Sequence, residues 1–314
     1  MLETQENVAE LLRCPKCNAK LTHIEPDGLV CSCDPSAKYA FFKNIPVLVD
    51  FHNSVFDERM VTAPKLERPV SRPRDTGVRL ILKRLVSPIK KTTKVNVSRL
   101  IEELICAGSH RILVIGGAVV GQGMMPLYDH RDLKVIGLDI YYSPQVHFIA
   151  DAHAIPLAPE TVDAVIAQAV LEHVLEPTRV VAEIYRVLKR NGLVYAETPF
   201  MQQVHEGPCD FTRFTQSGHR YLFRRFKMLA AGVSGGPGTQ LLWSIEYFAR
   251  SLFRSSVVGK ATKLAFFWLR YFDRFISAPY ASDGASGVFF LGRKSGVELT
   301  PRDIIELYCG AQKS

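Results

Sequence analysis

The sequence predicts an α/β fold, a doubly wound and mostly parallel sheet, preceded by a small cysteine-bearing module. Three observations carry this. Apolar β-forming runs recur at 111–115, 133–139 and 161–168, with helical spacing between them. A glycine-rich turn, Gly116-Gly117-Ala-Val-Val-Gly121-Gln-Gly123, follows the first run directly. Four of the seven cysteines lie within the first 33 residues. A continuous apolar run suits a parallel strand covered by helices on both faces. The glycines suit a turn that a nucleotide-type ligand approaches closely.

Composition bounds the reading. The chain has 314 residues, 47% apolar and 22% charged, enough for one sizeable core and a small module. No window holds the roughly 18 apolar residues of a membrane span, and the polar, acidic N-terminus is unlike a secretory signal. A soluble cytoplasmic protein is expected. The net charge of +8 concentrates in residues 51–95, a basic linker carrying Arg68, Arg72, Arg74, Arg79, Lys83, Arg84, Lys90, Lys91 and Lys94. Such a belt is most simply a solvated surface, and it could also face nucleic acid, anionic lipid or an anionic substrate.

In residues 1–50, Cys14 and Cys17 are separated by two residues, and Cys31 and Cys33 stand on a return strand. Two such pairs make a tetrahedral sulfur site, which suits zinc. So small a module gains much of its folding energy from such an ion. The residues from Leu11 through Cys17, with Cys31, Tyr39 and Ile45-Pro-Val-Leu48, resemble the zinc-ribbon module of the tRNA-methyltransferase-activator type. The pattern departs at the second pair, separated by one residue where the family has two, which leaves two alternatives to the four-cysteine site: Asp34 or His23 as a stand-in ligand, or a degenerate ribbon that has lost its metal. A closed four-thiolate site has no open position for catalysis.

The large domain is expected over 96–298. A helix over 96–106 places Val97, Leu100, Ile101, Leu104 and Ile105 on one face. After the strand and glycine turn comes a short helix from Met124 to Tyr128, then a strand ending in Asp139, where an acid binds ribose hydroxyls. A third strand ends at Asp151-Ala152, a fourth at Gln168, and a helix over 177–188 closes with Asn191-Gly192 as its cap. A fifth strand spans 192–198. This ordered run resembles a class I S-adenosylmethionine-dependent methyltransferase, nearest to the broad group containing the ubiquinone and menaquinone-pathway enzymes. The resemblance implies a Rossmann-like, seven-stranded sheet with S-adenosylmethionine as cofactor. It places Gly116, Gly117 and Gly121 under the methionine and ribose, Asp139 with Ile140 at the ribose, Asp151 at the adenine amino group, Ala152 at the adenine edge, and Gln168 beside the methionine. Val114 stands where the family has an acid, and the glycine loop is one residue longer. His173, just after the fourth strand, reads as structural or pocket-lining.

The acceptor is expected to meet the loop over 198–215. There His205 is the candidate general base, with Glu206 or Asp210 orienting it and Arg213 holding an anionic or hydroxyl-rich acceptor. The plainer alternative pairs Asp210 with Arg213 inside a self-bonded loop. Residues 216–280 read as a helical insertion, and the aromatic-rich stretch 241–276 has the amphipathic character of a membrane-surface helix. A closing strand follows at 287–294, and 299–314 read as a helix and tail. The expected reaction is O-methylation of a small-molecule, lipid-linked or glycan acceptor. The rivals are RNA or protein methylation guided by the basic belt, and a non-catalytic cofactor-binding or activator role.

Overall fold

The structure is a computed structural model that describes residues 1–24, 28–62, 90–108 and 110–313. Most of the basic belt (63–89) and the turn residues Pro26 and Asp27 lie outside the described residues.

The core strands run β5 (Arg111–Ile115), β6 (Lys134–Asp139), β7 (Phe148–Ala150), β8 (Val162–Gln168), β9 (Leu188–Pro199), β10 (Phe226–Gly235) and β11 (Gly287–Lys294). They lie in the order β7-β6-β5-β8-β9-β11-β10. β5 pairs in parallel with both β6 and β8, so successive connections leave it toward opposite edges. A crevice therefore opens at its carboxyl end. β11 runs antiparallel between β9 and β10.

Seven strands were expected for the large domain alone; among the described residues these seven are continued by four strands of the N-terminal module into one sheet of eleven. The four N-terminal strands β1 (Leu21–Ile24), β2 (Gly28–Cys31), β3 (Lys38–Phe42) and β4 (Ile45–Leu48) form an antiparallel meander. β4 then joins β7 in parallel through Val47–Ile149 and Leu48–Ala150. An open sheet edge presents unpaired backbone groups, and the cysteine-bearing module covers this one. Sequence shows no such pairing because Val47 and Ile149 are about 100 residues apart.

The alternation of β5 explains its two-sided burial. Ile112 and Val114 face α3 (Lys91–Cys106), against Val97, Leu100 and Leu104. Leu113 and Ile115 face α5 (Pro177–Val187), with Val180, Ile184 and Val187. Leu100, Ile112 and Leu113 have no exposed surface, and each such side chain contributes about 1.5–3 kcal/mol by burial. The module's Leu12, Leu29 and Tyr39 share the α5-side cluster, so one core runs through both parts.

Three local expectations are corrected. Helix α5 has no Asn-Gly cap: Leu188 is already extended, and Asn191, at φ 62°, is a left-handed residue inside β9. The apolar residues of the 216–280 stretch include a strand, β10, where only helices were expected; β-branched residues are nearly absent from it, so the strand signal was weak. The aromatic stretch ends as a run of 3-10 turns over Phe267–Phe275 after α7 (Pro237–Leu252) and α8 (Ser256–Ala265).

Candidate active site

A cavity of about 450 Å3 opens at the carboxyl ends of β5 to β9. Gly116, Gly121 and Gln168 line its floor, and Asp139, Ile140, Asp151 and Ala152 line one end. Gly116 has φ 74°, and a Cβ there would press on Val170. Gly117 sits beneath the cavity, where a Cβ would lie 3.1 Å from the Gly137 Cα on β6. The turn is thus glycine for two reasons, backbone conformation and close strand contact. Gln168 donates to the Gln122 carbonyl at 3.1 Å and closes the loop over the sheet.

Both acids at this end are held by donors. The Ala118 N–H donates to Asp139 at 2.8 Å and the Tyr141 N–H at 3.0 Å. Asp151 accepts from the His153 N–H at 2.9 Å and from the Ser54 hydroxyl. Burial raises the Asp151 pKa, but the bonds from His153 and Ser54 outweigh it and leave the carboxyl below its ordinary value. Ser54 belongs to an arm that continues from β4 and brings Val55 and Phe56 into the cavity wall. Phe56 meets Tyr141 edge-on at 6.5 Å. This arm had no sequence signal, since its contacts are with residues nearly 100 positions away.

Val114, where the resembled family has an acid, is buried among apolar side chains of the α3 layer. A different acid reaches the cavity. Glu197, near the end of β9, lies under it and accepts from Thr93 and Tyr195, each at 2.6 Å, and from Lys90 at 3.3 Å. Lys90, read from sequence as part of the exposed belt, is thus turned into the cavity wall.

The opposite end is built differently. Ala169 follows β8 with φ 55°, a conformation costing a non-glycine residue about 1–2 kcal/mol. Its N–H donates to the Glu197 carbonyl at 2.9 Å. This kink turns Glu172 and His173 into the cavity beside His205. The Glu172 side chain is 1% exposed, and among the described residues neither carboxylate oxygen has a hydrogen-bond partner. Burial pushes its pKa up to about 8. His173 Nδ1 lies 2.8 Å from the Cys209 carbonyl, so Nδ1 carries the proton and Nε2 the lone pair. Burial lowers the His173 pKa and keeps the ring neutral. His205 Nδ1 is 3.3 Å from Asp210 and 3.3 Å from the Gln203 carbonyl, so in the neutral ring Nδ1 carries the proton and Nε2 the lone pair.

The structure brings together His205, Asp210 and Arg213, but not in one role. His205 and Glu206 line the cavity, whereas Asp210 and Arg213 lie behind them. The Arg213 guanidinium grips Asp210 through both terminal nitrogens and donates to the Gln202 and Gln203 carbonyls at 2.9 and 3.2 Å. Burial raises the Asp210 pKa, but the Arg213 bonds and the His205 N–H outweigh it and hold it well below the carboxylate range. Arg213 therefore has its donors committed inside the loop, as in the self-bonded alternative. The helical insertion buttresses this loop: Tyr247 donates to the Val204 carbonyl at 2.9 Å and Gln203 to Ser244 at 3.1 Å.

Away from the cavity, Cys17 lies 3.4 Å from Cys31 and 3.1 Å from Cys33, sulfur to sulfur, and Cys31 and Cys33 are 3.4 Å apart. Cys14 lies within 4.8 Å of Cys17 and Cys31. All four are free thiols, and their convergence fits the donor chemistry of a thiolate-bound ion. His23 stacks on Phe41, and Asp34 accepts from the Ser36 hydroxyl.

Residues 117–196 match the family model described as a methyltransferase domain. With the glycine cradle and the two acids, this makes the chain an S-adenosylmethionine-dependent methyltransferase whose cofactor is S-adenosylmethionine. Among solved structures, a geranyl diphosphate methyltransferase in complex with its methyl donor is 17% identical (TM-score 0.44), with 71% of this chain and 93% of that one covered. A putative sarcosine dimethylglycine methyltransferase from Galdieria sulphuraria is 16% identical (TM-score 0.42), with 67% and 92% covered. A methyltransferase from Archaeoglobus fulgidus is 13% identical (TM-score 0.42), with 69% and 100% covered. No curated protein matches the chain.

Proposed function

We propose that the chain methylates an oxygen nucleophile on a small-molecule, lipid-linked or glycan acceptor. The observation that carries this reading is the pair of imidazoles, His173 and His205, which line the cavity end away from Asp139 and Asp151, each with Nδ1 set against an oxygen acceptor. Bound S-adenosylmethionine supplies an electrophilic methyl carbon on a sulfonium centre. Asp139 takes the ribose hydroxyls beside Ile140, Asp151 the adenine amino group beside Ala152, and Gln168 the methionine end. A hydroxyl acceptor must lose its proton as it attacks. Nε2 of His205 receives that proton, and Asp210, fixed by Arg213, holds Nδ1 and stabilises the imidazolium. Alignment in the cavity supplies the rest of the acceleration.

Two further parts complete the proposal. The four cysteines hold a structural zinc that stiffens the module and, through β4, the arm over the adenine end. The exposed aromatics Phe248, Phe253, Phe272 and Phe275 support contact with a membrane surface and a lipid-linked acceptor. Among the described residues no helix is long and apolar enough to cross a membrane. Seven free cysteines fit a reducing, cytoplasmic setting.

Isothermal titration with S-adenosylhomocysteine tests the cofactor half. The wild type binds in the micromolar range, and Asp139→Ala weakens binding about 100-fold, the value of losing hydrogen bonds to a charged group. No binding by the folded wild type overturns the reading. Screening hydroxyl acceptors with labelled methyl donor then tests the acceptor half.

A further inference from the structure

We propose that Glu172, His173 and His205 form a binding site for a divalent first-row metal ion at the acceptor end of the cavity. The inference rests on the methyl-transfer reading of this cavity and deepens it by giving the acceptor oxygen a metal ligand position.

His173 Nε2 lies 3.7 Å from Glu172 Oε1, and His205 Nε2 lies 4.0 Å from the same oxygen. The three candidate ligand atoms all fall within 4.8 Å of one another. Both imidazoles have their proton engaged on the far side, by the Cys209 carbonyl in one case and by Asp210 and Gln203 in the other. Three electron-rich atoms therefore face one point, and no donor among the described residues serves the Glu172 oxygens. A buried carboxylate without a partner is costly, and its usual remedies are a proton or a cation.

The surroundings favour a cation as the working occupant. Two imidazoles and one carboxylate on one side of an ion are a recurring donor set for first-row metals, with the remaining positions left open. Ligand atoms about 2.1 Å from one tetrahedral ion stand about 3.4 Å apart, so small rotations of rings now at 3.7 and 4.0 Å would close the site. Each histidine also has the outer partner that metal-bound histidines have: a backbone carbonyl for His173, and a carboxylate for His205. Arg213 fixes that carboxylate through both terminal nitrogens. The three residues come from two separate segments, the kink after β8 and the loop after β9, and the rings meet edge to face at 5.0 Å.

An ion here would occupy Nε2 of His205, replacing its role as proton acceptor in the metal-free cavity, and would acidify an acceptor hydroxyl directly. The hydroxyl proton then leaves to solvent, and an acceptor with two neighbouring hydroxyls fills two open positions at once. The site would thereby select vicinal diols or catechols.

Mn2+ is the probe, because a thiolate cluster takes softer ions in preference. The full chain, with S-adenosylhomocysteine bound, is titrated with Mn2+ and the free ion followed by electron paramagnetic resonance. One ion binds per chain. Glu172→Gln and, separately, His173→Gln weaken it at least tenfold, while Cys17→Ser leaves it unchanged. Asp210→Asn, which acts through His205, weakens it about tenfold. Calorimetry shows S-adenosylhomocysteine affinity unaltered in Glu172→Gln, so a folding defect is separated from a lost ligand. Absence of bound Mn2+ in protein that binds S-adenosylhomocysteine overturns the proposal, as does Mn2+ binding indifferent to both substitutions. Failure to bind S-adenosylhomocysteine sinks the cofactor reading instead, and the two failures are read from different signals.

Discussion

Asp151 and Glu172 are both buried carboxyls lining one cavity, and their surroundings are opposite. Asp151 receives three donor groups, from Ser54 and His153, and its pKa falls. Among the described residues Glu172 receives none, and burial raises its pKa to about 8. The same chemical group is thus stabilised as an anion at one end of the cavity and, among the described residues, left without a hydrogen-bond donor at the other. The contrast teaches a division of labour. One end is finished before any ligand arrives, with acids ready to accept from hydroxyl and amino groups. The other is incomplete and poised to take a proton or an ion from whatever enters.

The sharpest way to break this contrast is to remove His205. His205→Ala should lower methyl transfer to an identified hydroxyl acceptor by about 10²–10⁴-fold, the range of a lost acid–base group, while S-adenosylhomocysteine affinity stays within about twofold. A comparable loss of S-adenosylhomocysteine affinity would mean that the two ends are not separate.

The contrast is next sharpened by pH, with no divalent ion added. Glu172 has a folded pKa raised above its ordinary 4.5, so the stability of its protonated form is present below 4.5 and is lost as pH rises toward 8. Against Glu172→Gln, the wild type should lose up to about 1.4 kcal/mol per pH unit across that window. Asp151 has a lowered folded pKa, so its contribution is present above the ordinary carboxyl range and is lost as pH falls below it. Against Asp151→Asn, the wild type should lose stability only on acidification. Denaturant titrations over a pH series read both trends, and like-signed trends would dissolve the distinction.

The smallest expected effect tests whether the N-terminal arm belongs to the cofactor end. Phe56→Ala should weaken S-adenosylhomocysteine binding about three- to tenfold through lost aromatic packing, with Mn2+ binding at the acceptor end unchanged. An affinity equal to wild type would make the arm a bystander.

One end of the cavity was legible because its residues lie in local patterns. A strand, a glycine turn and an acid at the end of each following strand are short-range, and Gly116, Asp139, Asp151 and Gln168 all line one cavity. The acceptor end was legible only in part. His205, Asp210 and Arg213 stand close together in one loop of the sequence, and the i,i+3 spacing of Asp210 and Arg213 already suggests their pairing. Glu172 carries no such signal, because nothing in its neighbourhood says that both its oxygens lack donors; that depends on the kink at Ala169 and on residues 33 positions further on. Lys90 and Ser54 were missed for the same reason. Their partners, Glu197 and Asp151, lie about 100 residues away in sequence.

The pairing of β4 with β7 also sets an order of events during synthesis. Val47 leaves the ribosome about 100 residues before Ile149, which at roughly 5–20 residues per second is an interval of about 5–20 s. For that time the cysteine-bearing hairpins have no sheet to join and must hold themselves together. A nascent chain of this design gains from any bond that closes its first 50 residues early, because the eventual neighbour of β4 does not yet exist.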